Sequence, residues 1–499
     1  MSPLTRRDLI QFGLASSVGW APGVGTQTST GPASVHEQLL DLAARQEERR
    51  RTRFAAVKSK ADLELLQKEL RQVLIRLLGG FPERRGAPPA RTVATVDAGD
   101  YLVEKLVYES FPGYFVSALL YKPNKINSRL PAVLSPCGHS STGKAERTYQ
   151  ILHVNLVKRG YVVLTYDPVG QGERSQFWDA EKHRSRFNLS CGEHAVLGNP
   201  LYLIGTSLAR YRIWDGLRGL DYLTSRSEVD AARLGCVGNS GGGTLTAYIS
   251  ALDSRVSAAA ICCYITTLRR RMGNRIKDDP SADPEQDFYG FISEGIDHAG
   301  LLALLAPRPT LVGAARLDFF PIEGARESFE EAKRLFEIAG VGDRVKRVEA
   351  DERHGLTTLL RKAVYTWFEQ WLGNRHVSDP VEEIAVTPRP AGELLVCTSG
   401  QVNQTFQSRP LLPLALEEFD RRGKPSRVPL RDLLGLDLEL ASPVISEISR
   451  RSGVGKALVL CVNGNETRDW REETEFLREL ARHQQFPASR VRLVLVLPF

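Results

Sequence analysis

Apolar residues recur at helical spacing early in the chain. Leu63, Leu66, Leu70, Val73 and Leu77 lie three or four positions apart and predict a helical region over 35–78. Gly79-Gly80 and Pro82 end it, and 86–89 reads as a linker. From about 92 the period changes. Runs at 101–109 and 115–121 flank Pro112-Gly113 and predict a hairpin. Short apolar runs at 132–135, 161–166, 234–237, 256–263, 310–314 and 345–350 read as buried strands. Between them, 145–159, 207–225 and 244–252 read as helices. So does the stripe Ile322, Ala325, Phe329, Ala332, Phe336, Ala339, and so does the closing stripe Leu356, Leu360, Ala363, Trp367, Trp371. Strands alternating with helices predict βαβ units, a mostly parallel sheet flanked by helices, and an antiparallel edge from the opening hairpin.

Two stretches break this rhythm. Residues 266–300 are charged and weakly periodic, and predict an excursion over the sheet that forms a lid or pocket wall. Residues 376–499 open on Pro380, Pro388 and Pro390. An apolar run at 457–462, a helical stretch at 468–483 and a run at 491–497 then repeat the order seen over 132–167. Two strands and one helix cannot bury a core alone. This part is expected to dock on the preceding domain, or the chain is a truncated product. The expected organisation is a 1–30 signal or tail, a 31–90 helical region with linker, a 91–375 α/β catalytic domain, and a 376–499 linker with a partial second α/β unit.

Composition narrows the class. The chain has 499 residues, 42% hydrophobic and 25% charged, as in an ordinary soluble globular protein of two or three domains. Its net charge of +7 is spread along the chain without a basic stripe interleaved with aromatics, which argues against nucleic-acid binding. The runs Arg49-Arg50-Arg51 and Arg269-Arg270-Arg271 read as solvated helix faces or loops. Seven cysteines, most in apolar runs, read as buried free thiols. No C-x-x-C or H-E-x-x-H pattern occurs, so no metal and no cofactor is expected. Arg6-Arg7 before the modestly apolar 9–20 stretch resembles a twin-arginine export signal, which serves proteins exported already folded. Export to the periplasm or beyond is then expected, without stable membrane insertion. If 1–30 is only a tail, the chain is cytoplasmic.

The chemistry centres on Gly238-Asn239-Ser240-Gly241-Gly242. A strand, G-x-S-x-G and a helix make a nucleophile elbow, whose sharp turn pushes the serine hydroxyl out of the sheet. The following helix aims its N-terminal amides at the same spot. A serine needs a general base, and the base needs an orienting acid. Asp318 follows the 310–316 run, and His354 lies just past the 345–350 run, so Ser240, Asp318 and His354 occur in triad order at strand ends. Asp351 is the rival acid, and Asp318 has a competing role as a helix N-cap. His298, which precedes the acid strand, reads as structural or pocket-lining. An oxyanion hole needs two amide donors. Gly241 supplies one. His139 in Pro136-Cys137-Gly138-His139 supplies the other, with Gly138 as the alternative. Asp167, in Asp167-Pro168-Val169-Gly170-Gln171-Gly172-Glu173, fixes the turn after its strand and borders the pocket.

With these motifs in order, the segment from about 95 to 373 resembles the α/β-hydrolases, and among them the acetyl xylan esterase and prolyl-oligopeptidase-like (dienelactone hydrolase-like) group. The residues that carry the resemblance are Cys137-Gly138-His139, Asp167 with Gly170, Gly172 and Glu173, the elbow with Gly243, Ala306-Pro307-Arg308-Pro309, Asp318 and His354. The oxyanion loop departs from the commoner His-Gly pair. The resemblance implies a metal-free serine hydrolase that cleaves carboxylic esters of small molecules or polysaccharide through an acyl-enzyme, as acetyl xylan esterases do. A peptidase of the prolyl oligopeptidase type is the second expectation. No blade repeats of a propeller precede the domain. A non-catalytic carbohydrate-binding role is the third.

Overall fold

A computed structural model of the chain describes residues 35–84, 86–187, 189–274, 283–288, 290–291, 294–373, 375, 377 and 379–422. The twin-arginine stretch and the repeat over 457–497 lie outside the described residues. The elements run α1 (Val35–Ala56), α2 (Lys60–Leu77), β1 (Ala90–Asp97), β2 (Tyr101–Phe111), β3 (Tyr114–Pro123), β4 (Leu130–Pro136), α3 (Arg147–Val157) and β5 (Val162–Tyr166). There follow the two-residue strands β6 (Trp178–Asp179) and β7 (Arg184–Ser185), then α4 (Leu189–Leu203), α5 (Leu208–Ser225), β8 (Val229–Asn239), α6 (Gly241–Leu252) and β9 (Val256–Cys262). Next come α7 (Leu268–Gly273), α8 (Asp297–Ala303), β10 (Thr310–Leu317), α9 (Ile322–Ile338), β11 (Val345–Arg353), α10 (Thr358–Trp371), α11 (Val402–Thr405) and α12 (Leu411–Arg422).

The nine-stranded sheet has the order β1-β2-β3-β5-β4-β8-β9-β10-β11. β1 to β3 are antiparallel, β3 meets β5 antiparallel, and every pairing from β5 to β11 is parallel. This is an α/β-hydrolase fold. Chain order reverses around β4, whose neighbours are β5 and β8. Ligand clefts of such sheets open at the carboxyl ends of the strands flanking that reversal. The loop after β4 and the elbow after β8 therefore sit side by side.

The central strands are hydrophobic on both faces because helices cover both. On one face Leu106, Tyr108, Leu134 and Leu164 pack with α2, α5, α6, α8 and α9. On the other, Val103, Val107, Val133 and Val163 pack with α3, α10 and residues 394–402. The period of two sends alternate residues of one strand to opposite cores. α2 buries Leu63, Leu66, Leu70 and Leu74, the stripe its spacing predicts. A capping box starts it: Ser59 Oγ accepts from Asp62 N at 3.2 Å, and Asp62 accepts from Ser59 N at 2.9 Å.

Several features differ from the sequence expectation. β1 went unpredicted because it is an exposed edge strand with no apolar alternation. α4 went unpredicted because it lacks an apolar stripe and contains Pro200. Each arginine run has one buried member, Arg50 and Arg271, and is not a wholly solvated face. Arg50 is buried and paired with Asp297 at 2.7 Å and Glu331 at 2.9 Å, which clamps α1 onto α8 and α9. Arg271 is buried too, its guanidinium 3.9 Å from the ring centre of Phe320. The stretch after residue 378 packs on the sheet domain. Glu383 holds Arg361 at 2.6 Å, and Glu418 takes Arg210 at 2.8 Å. Buried Lys144 sits between Asp167 and Glu173, and Glu173 also accepts from the amides of Val396 and Cys397 at 2.9 and 2.7 Å. Breaking such a buried pair leaves an uncompensated charge, so this knot fastens the later segment firmly.

Two buried histidines make stability depend on pH. His153, bonded to Ser135 Oγ at 2.9 Å, is pushed down to about 3 by burial. His298, which accepts from Thr266 N at 2.9 Å, is pushed down to about 4, again mainly by burial. An unfolded histidine protonates near pH 6.5. Between about pH 4 and 6.5 the unfolded chain therefore binds more protons, and stability rises with pH. Each histidine is expected to cost roughly 3 kcal/mol of stability as pH falls from 6.5 to 4. Urea unfolding at the two pH values measures this, and equal midpoints would refute it.

Candidate active site

Ser240 is the single residue between β8 and α6, with φ +59° and ψ −127°, a backbone that residues other than glycine rarely adopt. The turn is held from outside. Ser240 N donates to Cys262 O at 3.0 Å, and Thr244 N donates to Ser240 O at 2.8 Å. The glycines around it answer to crowding rather than to turn geometry. A Cβ on Gly238 would run into Gly242, one on Gly242 into Pro136 O, and one on Gly243 into Cys262 O. The loop after β4 is equally close, since a Cβ on Gly138 would meet Asn239 O. Buried Tyr149 of α3 stitches the two loops together. Its hydroxyl accepts from Gly138 N at 2.8 Å and Asn239 N at 2.9 Å, and donates to Asn239 O at 3.0 Å. Gly138 N–H is thereby engaged by Tyr149.

Asp318 follows β10 and His354 follows β11, at the same carboxyl edge as Ser240. His354 Nδ1 lies 2.8 Å from both oxygens of Asp318. Asp318 is almost wholly buried (1% exposed), while His354 retains 22% exposure. Asp318 also accepts from Phe320 N at 3.0 Å, and the Phe319 ring lies against the imidazole with centroids 4.3 Å apart. Asp318 does not cap the next helix: α9 starts after Pro321 without a side-chain cap. Asp351 is 78% exposed and faces Arg316 at 3.6 Å, so it is not placed to orient His354. His298 ligates no reacting group; it stacks on Tyr264 at 4.5 Å and supports the backbone of Thr266. Asp167 accepts from Ser117 Oγ, Lys144 N and Glu173 N at 2.8, 2.8 and 3.1 Å and fixes its turn. A cavity of about 630 Å³ opens beside Asp318, walled by Leu40, Asp41, Arg269, Arg270 and Arg316. It borders the acid side of the site, and Ser240 does not line it.

Sequence reasoning missed several neighbours of these residues. Cys263, at φ +48°, places its thiol within 4.8 Å of Asp318 and His354 donor atoms. Burial, then the Asp318 charge, pushes that thiol well above its usual range. Asp283 and Glu285 of the 266–300 excursion, His194 of α4 and Arg212 of α5 converge on the side chain of His139. Nothing local marks them, because a charged excursion and two polar helix positions look the same whether solvated or buried.

Three sets of side chains bring donor atoms within 4.8 Å of one another: His139, His194 and Glu285; His139, Cys191 and Asp283; Cys263, Asp318 and His354. The first and third suit a cation poorly. Arg212 already lies 2.7 Å from His194 Nε2 and 2.5 Å from Glu285. Cys263 would have to ionise against its raised pKa to act as a soft ligand.

Comparison with known proteins agrees with the fold. Residues 91–282 match the acetyl xylan esterase (AXE1) family model. The Bacillus subtilis protein YtaP is 27% identical over 328 residues, covering 62% of this chain and all of that protein. Among solved structures, the methylesterase BT1017 superposes with a TM-score of 0.50 at 23% identity, over 77% of this chain and 81% of its own. BF1801 of Bacteroides fragilis, described as a putative acetyl xylan esterase, gives a TM-score of 0.52 at 18% identity, over 79% of this chain and 97% of its own.

Proposed function

From the α/β-hydrolase fold and the match of residues 91–282 to the acetyl xylan esterase family model, we infer that this chain is a serine carboxylic-ester hydrolase acting on carbohydrate esters, acetyl esters of xylan-like polysaccharide first. The observation that carries this reading is the Asp318–His354 pair at 2.8 Å, set at the same strand ends as a serine held in a left-handed turn. Asp318 accepts from His354 Nδ1–H, which fixes the tautomer and leaves Nε2 free to take a proton. His354 deprotonates Ser240 as its Oγ attacks the ester carbonyl. The tetrahedral oxyanion is met by the amides of Gly241 and His139. The imidazolium returns the proton to the departing alcohol, leaving an acyl-Ser240. Water, activated by the same histidine, releases the acid. The similarity of residues 91–282 to acetyl xylan esterases supports acetyl as the acyl group.

A peptidase with the same triad is the second reading. The prolyl oligopeptidase arrangement places a β-propeller before the catalytic domain, whereas α1 and α2 precede it here. Acetylated xylan, an aryl acetate and a proline-containing peptide amide, compared at matched enzyme concentration, separate the readings. Turnover of both acetates and none of the amide is expected. Amide cleavage outpacing both esters would install the peptidase. Binding of xylan with no turnover of any substrate would leave only a carbohydrate-binding role.

A further inference from the structure

A buried cluster of charge lies against the first turn of α6. Its members come from four places in the chain: His139 after β4, His194 on α4, Arg212 on α5, and Asp283 with Glu285 in the excursion after α7. Were Gly241 to carry a Cβ, that atom would lie 2.8 Å from Glu285 Oε1 and 3.1 Å from His139 Cε1. The cluster therefore abuts the residue whose amide faces the developing oxyanion.

The hydrogen bonds fix most of the protons. A guanidinium can only donate. Arg212 Nη1 lies 2.7 Å from His194 Nε2, so that nitrogen accepts and the His194 proton sits on Nδ1. Nδ1–H then donates to Asp283, at 3.0 Å from Oδ2. His194 is thus a neutral link. Arg212 also ion-pairs with Glu285 at 2.5 Å and donates to Val169 O and Gln171 Oε1 at 3.0 and 3.1 Å. One guanidinium faces two carboxylates, and one negative charge remains to be balanced. The side chain positioned to balance it is His139, whose Nε2 is 3.3 Å from Asp283 and 3.3 Å from Glu285. His139 is also the exposed corner of the cluster. Its side chain is 15% accessible, against 0 to 1% for His194, Arg212, Asp283 and Glu285.

The geometry points to the side chain of His139, paired with Asp283 and Glu285, as a positioning residue that holds a fixed positive charge beside the oxyanion hole. This rests on the Ser240 esterase reading above and adds a second task to a residue there credited only with its backbone amide. Without that charge, a net buried carboxylate would sit next to Gly241 and oppose the oxyanion. With it, the local charge is balanced in the ground state, because His139 Cε1 approaches Gly241 nearly as closely as Glu285 Oε1 does (3.1 against 2.8 Å from the Cβ position). Burial by itself would lower the His139 pKa, but Glu285 and Asp283 outweigh it and hold the imidazole well above its ordinary value. Asp283 is held well below the carboxylate range, its burial outweighed by the hydrogen bond from His194 and by the charge and hydrogen bond of His139. The groups facing the ring are Asp283 and Glu285 from the excursion, His194 and Cys191 from α4, and Arg212 from α5 across the carboxylates.

His139→Gln keeps the backbone amide and a polar side chain but removes the charge. Its kcat on an aryl acetate should fall on the order of 10²-fold, with KM little changed, as when one oxyanion donor is lost. The alkaline limb of the kcat profile that reports loss of the His139 proton should disappear with it. A kcat close to wild type overturns the proposal. A lower kcat with the alkaline limb left in place also overturns it, because a purely structural clamp would do that. If His139→Gln does not fold, Asp283→Asn supplies the readout. Removing one carboxylate destabilises the imidazolium, so the alkaline limb should move to lower pH, and an unmoved limb overturns the proposal. Ser240→Ala in the same assay separates the two levels. Activity surviving Ser240→Ala would fell the esterase reading itself, whereas its loss alongside an unaffected His139→Gln would fell only this inference.

Discussion

Ser240→Ala is expected to abolish turnover of an aryl acetate, lowering kcat by roughly 10⁴–10⁶ while the protein stays folded. The hydroxyl is the only atom lost, and no bond that holds the elbow depends on it. Ser240 N still donates to Cys262 O, and Ser240 O still accepts from Thr244 N. Alanine at φ +59° carries strain similar to that of serine, so the melting temperature should barely move. The same variant should lose labelling by a fluorophosphonate probe, which reports the activated hydroxyl independently of substrate choice. Equal labelling of wild type and variant, or retained hydrolysis, would move the nucleophile elsewhere and remove the basis of the esterase reading.

Asp318→Asn is expected to lower kcat by about 10⁴, with a much smaller change in KM. A carboxylate 2.8 Å from His354 Nδ1 can only accept, which keeps the proton on Nδ1 and the lone pair on Nε2. An asparagine can present its NH₂ instead and stabilise the wrong tautomer. The imidazolium formed during the reaction also loses its counter-charge. Asp351→Asn is the control. That side chain is 78% exposed, and its pairing with half-exposed Arg316 is of the kind worth little in water. Its kcat should match wild type. Kinetics of both variants on one aryl acetate decide between them: a large loss with Asp351→Asn and none with Asp318→Asn would reassign the acid.

Much of this was legible in the chain. The strands and helices that pack into the centre were readable because burial on one face imposes a period of 3.6 or 2 on neighbouring residues. Leu63, Leu66 and Leu70 announce α2, and the stripe from Ile322 to Phe336 announces α9. Elements without that imprint were missed. β1 is exposed along its length, and α4 has no single apolar face. The elbow was readable because its G-x-S-x-G string lies directly between a strand-like and a helix-like run. The order of Ser240, Asp318 and His354 was readable because each sits just beyond a recognisable strand.

Charge was the least legible property, and the reason is physical. An arginine or glutamate carries no mark of whether water or a partner will neutralise it. Arg50 and Arg271 look like solvated runs, yet both are buried against partners far along the chain. That Asp318 rather than Asp351 meets His354, and that Gly138 N–H meets Tyr149, depends on distances of about 3 Å set by packing. By itself the sequence determined the alternation of strands and helices, the serine elbow, and the placing of Ser240, Asp318 and His354 just beyond successive strands, since each of these shows in the residues next to it. Only the tertiary structure decided which carboxylate meets the histidine and that His139, His194, Arg212, Asp283 and Glu285 share one buried knot beside Gly241. Ion pairing over long separations has no period, and only the folded chain brings its members within reach.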